Sequence, residues 1–428
     1  MSHFRIKGGK PLSGEINVAG SKNTALAILS SVILGDGVTM LHNVPNLSDV
    51  RVKANLLEKF GAKVTWREGS MIIDSTDIQQ GEADEDAVRK IRTSFYLLGP
   101  LLARTKEVRI PAPGGCQIGA RPVDFHVKGL VRLGAEVYLE GGIYHARCDR
   151  LKGAEIYLDF PSAGATQHLM ATATLAEGHT IIYNAAIEPE VTYLADFLNQ
   201  MGARVEGAGT STVTIHGREA LTPTQYSIPS DRLQAGTFLI AGAMTRGNVT
   251  VRGVLPEQQA ALISKMREAG VEFTEENDAI TVHAGERLNS IKVKTMPYPG
   301  FPTDVQQPMA ALLTTALGTS VIEETIYESR IGHVQQLNRM GADIAVEGRC
   351  AIINGVEELQ GASVVASDLR AGAALCVAGL AATGETTVKG IHFIDRGYED
   401  IEGAFRALGA DFERVVEDGA KEEQGSET

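Results

Sequence analysis

One stretch of this chain has the residue types for covalent or proton-transfer chemistry. Residues 111–126 read PAPGGCQIGARPVDFH, with Cys116 directly after Gly114-Gly115, Arg121 five residues on and His126 at the end. Paired glycines let a backbone approach a ligand with no side chain in the way. A nearby cation lowers the pKa of a thiol, so Cys116 beside Arg121 and His126 suits a nucleophile or a proton donor. A small buried hydrophobe is the commoner fate of a free cysteine, and loop position alone leaves both readings open. The other three cysteines have no such setting: Cys376 lies in an apolar run, and Cys148 and Cys350 lie near strand patterns.

Charged and capping residues cluster at the starts of apolar helical runs. They are Lys22 (AGSKN), Arg92 (KIRTS), Ser162 and Gly164 (PSAGA), Asp231 and Arg232 (PSDRL), Asp304 (FPTDV), and Asp368 and Arg370 (ASDLR). A helix N-terminus offers free N–H groups and the positive end of the dipole, which suits an anionic ligand. Ordinary capping accounts for Ser21, Asp304 and Asp368. It does not account for Lys22, Arg92 or Arg370, because cations are disfavoured there, and a bound phosphate would supply the reason. A second set, Arg121, Glu190, Arg330 and Arg396, stands 11 to 13 residues before a recurring glycine. Structural ion pairs explain any one of these residues equally well. Together they point to a small phosphorylated or carboxylated ligand in a cleft between two domains.

The elements that must position these groups follow from an internal repeat. FGAKV, LGAEV, MGARV, AGVEF, MGADI and LGADF place glycines at 61, 134, 202, 270, 341 and 409, spaced by 73, 68, 68, 71 and 68 residues. Before each glycine runs an amphipathic helical pattern, and after it an alternating strand pattern, so the glycine fits a helix C-cap. Further upstream, Gly37, Gly178, Gly247, Gly318 and Gly384 open strand-like runs, and Lys106 stands in that place in the second copy. That copy is about four residues longer, and the extra length falls at the Cys116 loop. A third element is a run without Asp, Glu, Lys or Arg: 23–34, 93–103, 164–176, 233–244, 305–317 and 371–382. A helix apolar all round is buried all round. Each unit therefore reads strand, buried helix, strand, amphipathic helix, strand, strand. A solenoid serving only as a scaffold is the bland alternative.

Length and composition agree with a globular α/β protein. A chain of 428 residues exceeds one ordinary core, and 43% apolar with 22% charged residues is an ordinary globular balance. The division falls in REALTPTQYSIPSD. We expect one three-unit domain over 22–228, carrying the cysteine loop at 111–122, and a second built from 1–21 with 229–416. Residues 417–428 read as a disordered acidic tail. A net charge of −13 argues against nucleic acid as a partner. The cysteine spacing suggests neither a metal pair nor a disulfide scaffold, and free thiols in a reducing cytosol are expected. No signal-peptide pattern and no apolar run of roughly 18 residues appears, so no membrane association is expected.

The residues GSKN at 20–23, PGGCQIGARPVDFH at 113–126, FPTD at 301–304, DLR at 368–370 and DRGYE at 395–399 resemble the UDP-N-acetylglucosamine 1-carboxyvinyltransferase family. The resemblance runs from about residue 4 to 415, and the cysteine-loop motif is highly specific. It implies a two-domain inside-out α/β barrel of six repeated units. It also implies transfer of the enolpyruvyl group of phosphoenolpyruvate to the 3-hydroxyl of UDP-N-acetylglucosamine, by addition and elimination, with release of phosphate. No cofactor or metal is implied, the setting is the bacterial cytoplasm, and a monomer is expected.

Carried over residue by residue, the resemblance makes Cys116 the proton donor to the methylene carbon and Asp304 the acceptor of the sugar hydroxyl's proton. Lys22, Arg121 and Arg396 would hold the phosphate, with Arg92, Arg330 and Arg370 supporting charge and Asn23 fixing the intermediate. Arg121, Pro122, Val123, Asp124, Phe125, Ser162, Gly164, Asp304 and Ile326 would line the nucleotide-sugar site, and Asp368 belongs to the binding set. Phe160 departs from members with lysine there, and Phe125 from those with leucine. Two rival readings are a related transferase acting on shikimate 3-phosphate and a non-catalytic sugar-nucleotide sensor. The cysteine loop and the 121–126 segment argue against the first. The joint presence of Lys22, Cys116, Asp304, Arg370 and Arg396 argues against the second.

Overall fold

The computed structural model describes residues 2–79, 81, 83, 85–114 and 123–416. Cys116, Arg121, Pro122 and the 417–428 tail lie outside the described residues.

All six repeat glycines follow a helix and have left-handed backbone, with φ of 97°, 91°, 93°, 101°, 89° and 91° for Gly61, Gly134, Gly202, Gly270, Gly341 and Gly409. The helices they end are Ser48–Lys59, Asp124–Arg132, Pro189–Gln200, Ala260–Glu268, His333–Arg339 and Ile401–Ala407. A residue without Cβ meets no steric penalty at such a φ, so the chain turns directly into the next strand. Where Lys106 replaces the upstream glycine, it adopts φ 67° itself. In the fourth copy the left-handed residue is Arg246, with φ 55°, one position before the expected Gly247.

The uncharged runs form the buried helices Lys22–Ser31, Leu98–Thr105, Ala163–Ala173, Arg232–Met244, Gln306–Leu313 and Leu369–Ala381. Every residue of Arg232–Met244 is buried. Strands cover these helices with one apolar face each: Val38–His42, His179–Tyr183, Asn248–Arg252 and Thr319–Glu323 all alternate between buried and more exposed positions. In the third copy Glu155–Tyr157 pairs in parallel with His179–Tyr183 across the buried helix. His179–Tyr183 then pairs antiparallel with Thr212–His216, whose other edge takes Arg204–Glu206. The same order recurs in five four-stranded sheets, and the second copy's described residues form three strands.

The expectation that each unit is contiguous in sequence fails in three places. Gln225–Ser227 supplies the parallel strand beside Val38–His42, and Ser13–Asn17 does so beside Asn248–Arg252. His3–Lys7 lies between Glu385–Lys389 and Asp411–Val415, antiparallel to both. Distant segments thus complete sheets that would otherwise expose a bare edge.

Contacts divide the chain into two compact units, one holding residues 2–18 and 231–416, the other 19–114 and 123–230. Each has its own apolar core. Leu239, Leu312 and Leu375 belong to the first, and Leu29, Phe95 and Leu169 to the second.

Two glycines of the fifth copy separate backbone strain from crowding. At Gly341, with φ 89°, an added Cβ meets nothing within 4 Å. At Gly355 it would lie 1.6 Å from the Ala316 carbonyl oxygen. Gly341→Ala should therefore cost about 1 kcal/mol, through φ alone. Gly355→Ala should cost about 2–3 kcal/mol, because a backbone carbonyl cannot step aside. Urea unfolding of the two variants checks this order, and equal losses would contradict it.

Candidate active site

In the unit containing residues 231–416, a turn at Thr303–Val305 leads into the buried helix Gln306–Leu313 and carries Asp304. Two guanidinium groups hold its carboxylate. Arg330 Nη1 donates to Asp304 Oδ1 at 2.7 Å, and Arg370 Nη2 donates to Oδ2 at 3.1 Å. The side chains of Arg330 and Arg370 are 5% and 3% exposed, against 23% for Asp304. Burial is the largest single effect and works against both cations, but Asp304 together with Asp368 and Tyr327 at Arg330, and with Tyr398 and Asp231 at Arg370, outweighs it, so both arginines lie above their ordinary range. Such a pair holds the Asp304 carboxylate in a fixed orientation, as a proton acceptor must be held.

Neighbouring groups fix this arrangement. Arg330 Nη1 also donates to Thr303 Oγ1 at 2.9 Å. Thr303 donates to Glu324 Oε2 at 2.8 Å, and Glu324 Oε1 accepts from the backbone of Ile326 at 2.7 Å and Tyr327 at 3.1 Å. Ile326 is thereby tied to the Asp304 turn through one buried carboxylate. Asp368 caps the helix Leu369–Ala381, its Oδ1 accepting from Arg370 N at 2.9 Å and Ala371 N at 3.0 Å. The Tyr398 hydroxyl lies 3.5 Å from Arg370 Nη1 and donates to Thr237 Oγ1 at 2.8 Å. Arg396, half-buried, ends the short helix Ile391–Arg396.

In the unit containing residues 19–230, Ser21 caps the helix that Lys22 opens, accepting from Thr24 N at 3.3 Å. Lys22 Nζ lies 3.5 Å from Asp49 Oδ2, with side chains 14% and 7% exposed. Lys22 and Arg370, two of the cations at helix starts, each have a carboxylate of the chain beside them, the structural ion pair weighed as the alternative to a bound phosphate. Asn23, next to Lys22, is half-buried, as is Arg92 at the start of Arg92–Leu97. Below Arg92, the fully buried Lys53 donates from Nζ to the Thr93 carbonyl. Burial alone holds Lys53 well below the usual lysine range.

Val123 precedes the helix Asp124–Arg132, where Asp124 pairs with Lys128 at 3.2 Å and the Lys128 ammonium lies 5.8 Å from the Phe125 ring centre. Ser162 caps Ala163–Ala173, accepting from Ala165 N at 3.3 Å. A Cβ on Gly164 would lie 2.2 Å from the Tyr96 hydroxyl, so only glycine fits there. Phe160 is 44% exposed.

The structure therefore brings Asp304, Arg330, Arg370, Asp368 and Ile326 into one bonded network. Lys22 pairs with Asp49 in the other unit. Sequence reading missed Asp49, Lys53, Tyr96, Glu324 and Tyr398. Lys53 was legible in principle, as a lysine on the apolar face of an amphipathic helix; the others carry no local signal. Cys376 is fully buried and Cys148 half-buried, and burial raises both thiols. Among the described residues no group of three or more His, Cys, Asp or Glu side chains is placed to hold a metal ion. No helix among them is long and apolar enough to cross a membrane.

Comparison with known proteins matches this geometry to one family. The family model described as EPSP synthase (3-phosphoshikimate 1-carboxyvinyltransferase) matches residues 6–405. UDP-N-acetylglucosamine 1-carboxyvinyltransferase 2 of Carboxydothermus hydrogenoformans is 49% identical over 417 residues, covering 97% of this chain and 100% of its own. UDP-N-acetylglucosamine 1-carboxyvinyltransferase of Halothermothrix orenii is 48% identical over 415 residues, with coverage of 97% and 100%. Among solved structures, the enolpyruvyl transferase NikO from Streptomyces tendae superposes with a TM-score of 0.87 at 24% identity, covering 97% of this chain and 99% of that one. EPSP synthase from Acinetobacter baumannii gives 0.77 at 20% identity, with coverage of 97% and 100%. These two likenesses bear out the inside-out α/β fold that the family resemblance implied. By the family match and by near-half identity over almost its whole length, the chain belongs to the carboxyvinyl (enolpyruvyl) transferase family.

Proposed function

We propose that the protein transfers the enolpyruvyl group of phosphoenolpyruvate to the 3-hydroxyl of UDP-N-acetylglucosamine. The observation that carries this reading is Asp304, a carboxylate held between Arg330 and Arg370 in a bonded network that includes Ile326. Relatives near half identity are named for that acceptor, whereas the EPSP synthase structure shares only 20% of its residues. The reading places the work in the bacterial cytoplasm, where both substrates are small soluble anions.

The chemistry has two stages. In the first, the sugar oxygen bonds to C2 of phosphoenolpyruvate as Asp304 takes the hydroxyl proton. The double bond's electron pair takes a proton from Cys116 at C3, giving a tetrahedral ketal. In the second, C3 returns a proton, the double bond reforms, and the C2–O bond to phosphate breaks. The ketal carries phosphate and carboxylate together, so fixed cations stabilise it most. Lys22, Arg121 and Arg396 serve the phosphate, with Arg92, Arg330 and Arg370 adding positive charge and Asn23 holding the ketal. The uridine diphosphate end falls to Arg121, Pro122, Val123, Asp124, Phe125, Ser162 and Gly164.

Phosphate release from phosphoenolpyruvate should require UDP-N-acetylglucosamine. It should be lost in Cys116→Ala and Cys116→Ser and survive in part in Cys116→Asp, since a carboxylic acid can replace the thiol as proton donor. Release without that acceptor, or release indifferent to the thiol, would overturn the reading. Asp304→Asn should lower kcat by about 10²–10⁴-fold, the range expected for loss of a general base. Its test is steady-state kinetics with both substrates saturating; a kcat within a few-fold of wild type would remove Asp304 from the proton transfer.

A further inference from the structure

Two histidines face each other in the core of the 19–230 unit. His126 Nδ1 lies 3.0 Å from His168 Nδ1, and the residues are 6% and 1% exposed. The other nitrogen of His168, Nε2, accepts from the Gly99 backbone N–H at 2.8 Å. A backbone N–H can only donate, so in the neutral ring the His168 proton sits on Nδ1. That Nδ1–H donates to His126 Nδ1, and His126 carries its own proton on Nε2. The surroundings keep both rings neutral. Burial disfavours charge on each, Arg92 adds to this at His126, and His126 and Lys53 add to it at His168. Only Asp124 acts the other way, and His126 is pushed down to about 3.

The pair sits where two helices nearly touch. A Cβ on Gly129 would lie 2.4 Å from the Leu169 methyls, so Asp124–Arg132 and Ala163–Ala173 approach closely there. At Gly99 a Cβ would meet Thr172 Oγ1 at 1.9 Å and His168 Nε2 at 2.7 Å, so that backbone is bare where His168 reaches it. The Tyr96 ring lies nearly parallel to His168, at 17° and 6.2 Å, and 5.6 Å from His126, while its hydroxyl fills the space over Gly164. Apolar packing alone tolerates sliding between helices, whereas a buried hydrogen bond of fixed direction sets one register.

We propose that His126 and His168 are a positioning pair for the nucleotide-sugar site. Their hydrogen bond registers Val123, Asp124 and Phe125, at the start of one helix, against Ser162 and Gly164 at the start of the other. This rests on the assignment of those residues to UDP-N-acetylglucosamine made above.

The test compares wild type with His168→Leu, His126→Phe, the double variant and His168→Asn, using steady-state kinetics, calorimetric titration with UDP, and thermal unfolding. Loss of one directional bond should raise KM for UDP-N-acetylglucosamine and weaken UDP binding by about 10-fold, while KM for phosphoenolpyruvate stays within about twofold. The double variant should be no worse than either single one, because each removes the same bond. His168→Asn, which can still donate to His126, should recover most of the loss. An unchanged KM for the nucleotide sugar would overturn the proposal, as would both KM values and kcat deteriorating in step with the melting temperature. Failure of the wild type to release phosphate with UDP-N-acetylglucosamine would instead remove the functional reading itself, before any variant is compared.

Discussion

A helix without a charged residue on any side must be covered on every side, and this chain has six such runs. Sheets and outer helices are arranged to meet that demand. The strands present alternating apolar faces to the buried helices, and the left-handed glycines turn the outer helices back into strands within three residues. The body of a buried helix cannot carry polar chemistry without a partner for each group. Its first turn can, because free N–H groups are available there and side chains can reach out of the core. Charged and capping residues therefore gather at that end in copy after copy.

Their electrostatics make structure and chemistry inseparable. Arg330 and Arg370 are buried cations that need Asp304 as counter-charge, and Lys22 similarly has Asp49. Removing one partner of a buried pair strands the other, at a cost of several kcal/mol in general. The same groups are preorganised for a ligand with developing charge, since their positions are already fixed by Thr303, Glu324 and Tyr398. Asp368 shows the division of labour within one segment: its Oδ1 caps a helix, while the next-but-one residue, Arg370, turns toward Asp304.

Much of this was legible in the sequence, for physical reasons. The repeat glycines were visible because only glycine accepts that backbone without cost, and the buried helices because burial excludes every charge. Arg370 stood out as a cation at a helix start, Arg330 by its place 11 residues before Gly341, and Asp304 through the FPTD motif. What was not legible was non-local. Gln225–Ser227 and His3–Lys7 look like ordinary short strands, and nothing in them names a partner some 180 to 410 residues away in sequence. Asp49 as the companion of Lys22 has no local mark either. The bond between His126 and His168 depends on two helices meeting at Gly129, which no pattern within either helix announces.

The strand His3–Lys7 has a consequence for how the molecule comes into being. It is hydrogen-bonded on one edge to Glu385–Lys389 and on the other to Asp411–Val415. During synthesis both neighbours are made several hundred residues after His3–Lys7 itself. At the usual speed of synthesis that wait is roughly 20–80 s. Residues 19–230 can close their own sheets in that interval, while His3–Lys7 still lacks both neighbours. The sheet that holds His3–Lys7 therefore forms later than the sheets of residues 19–230 can.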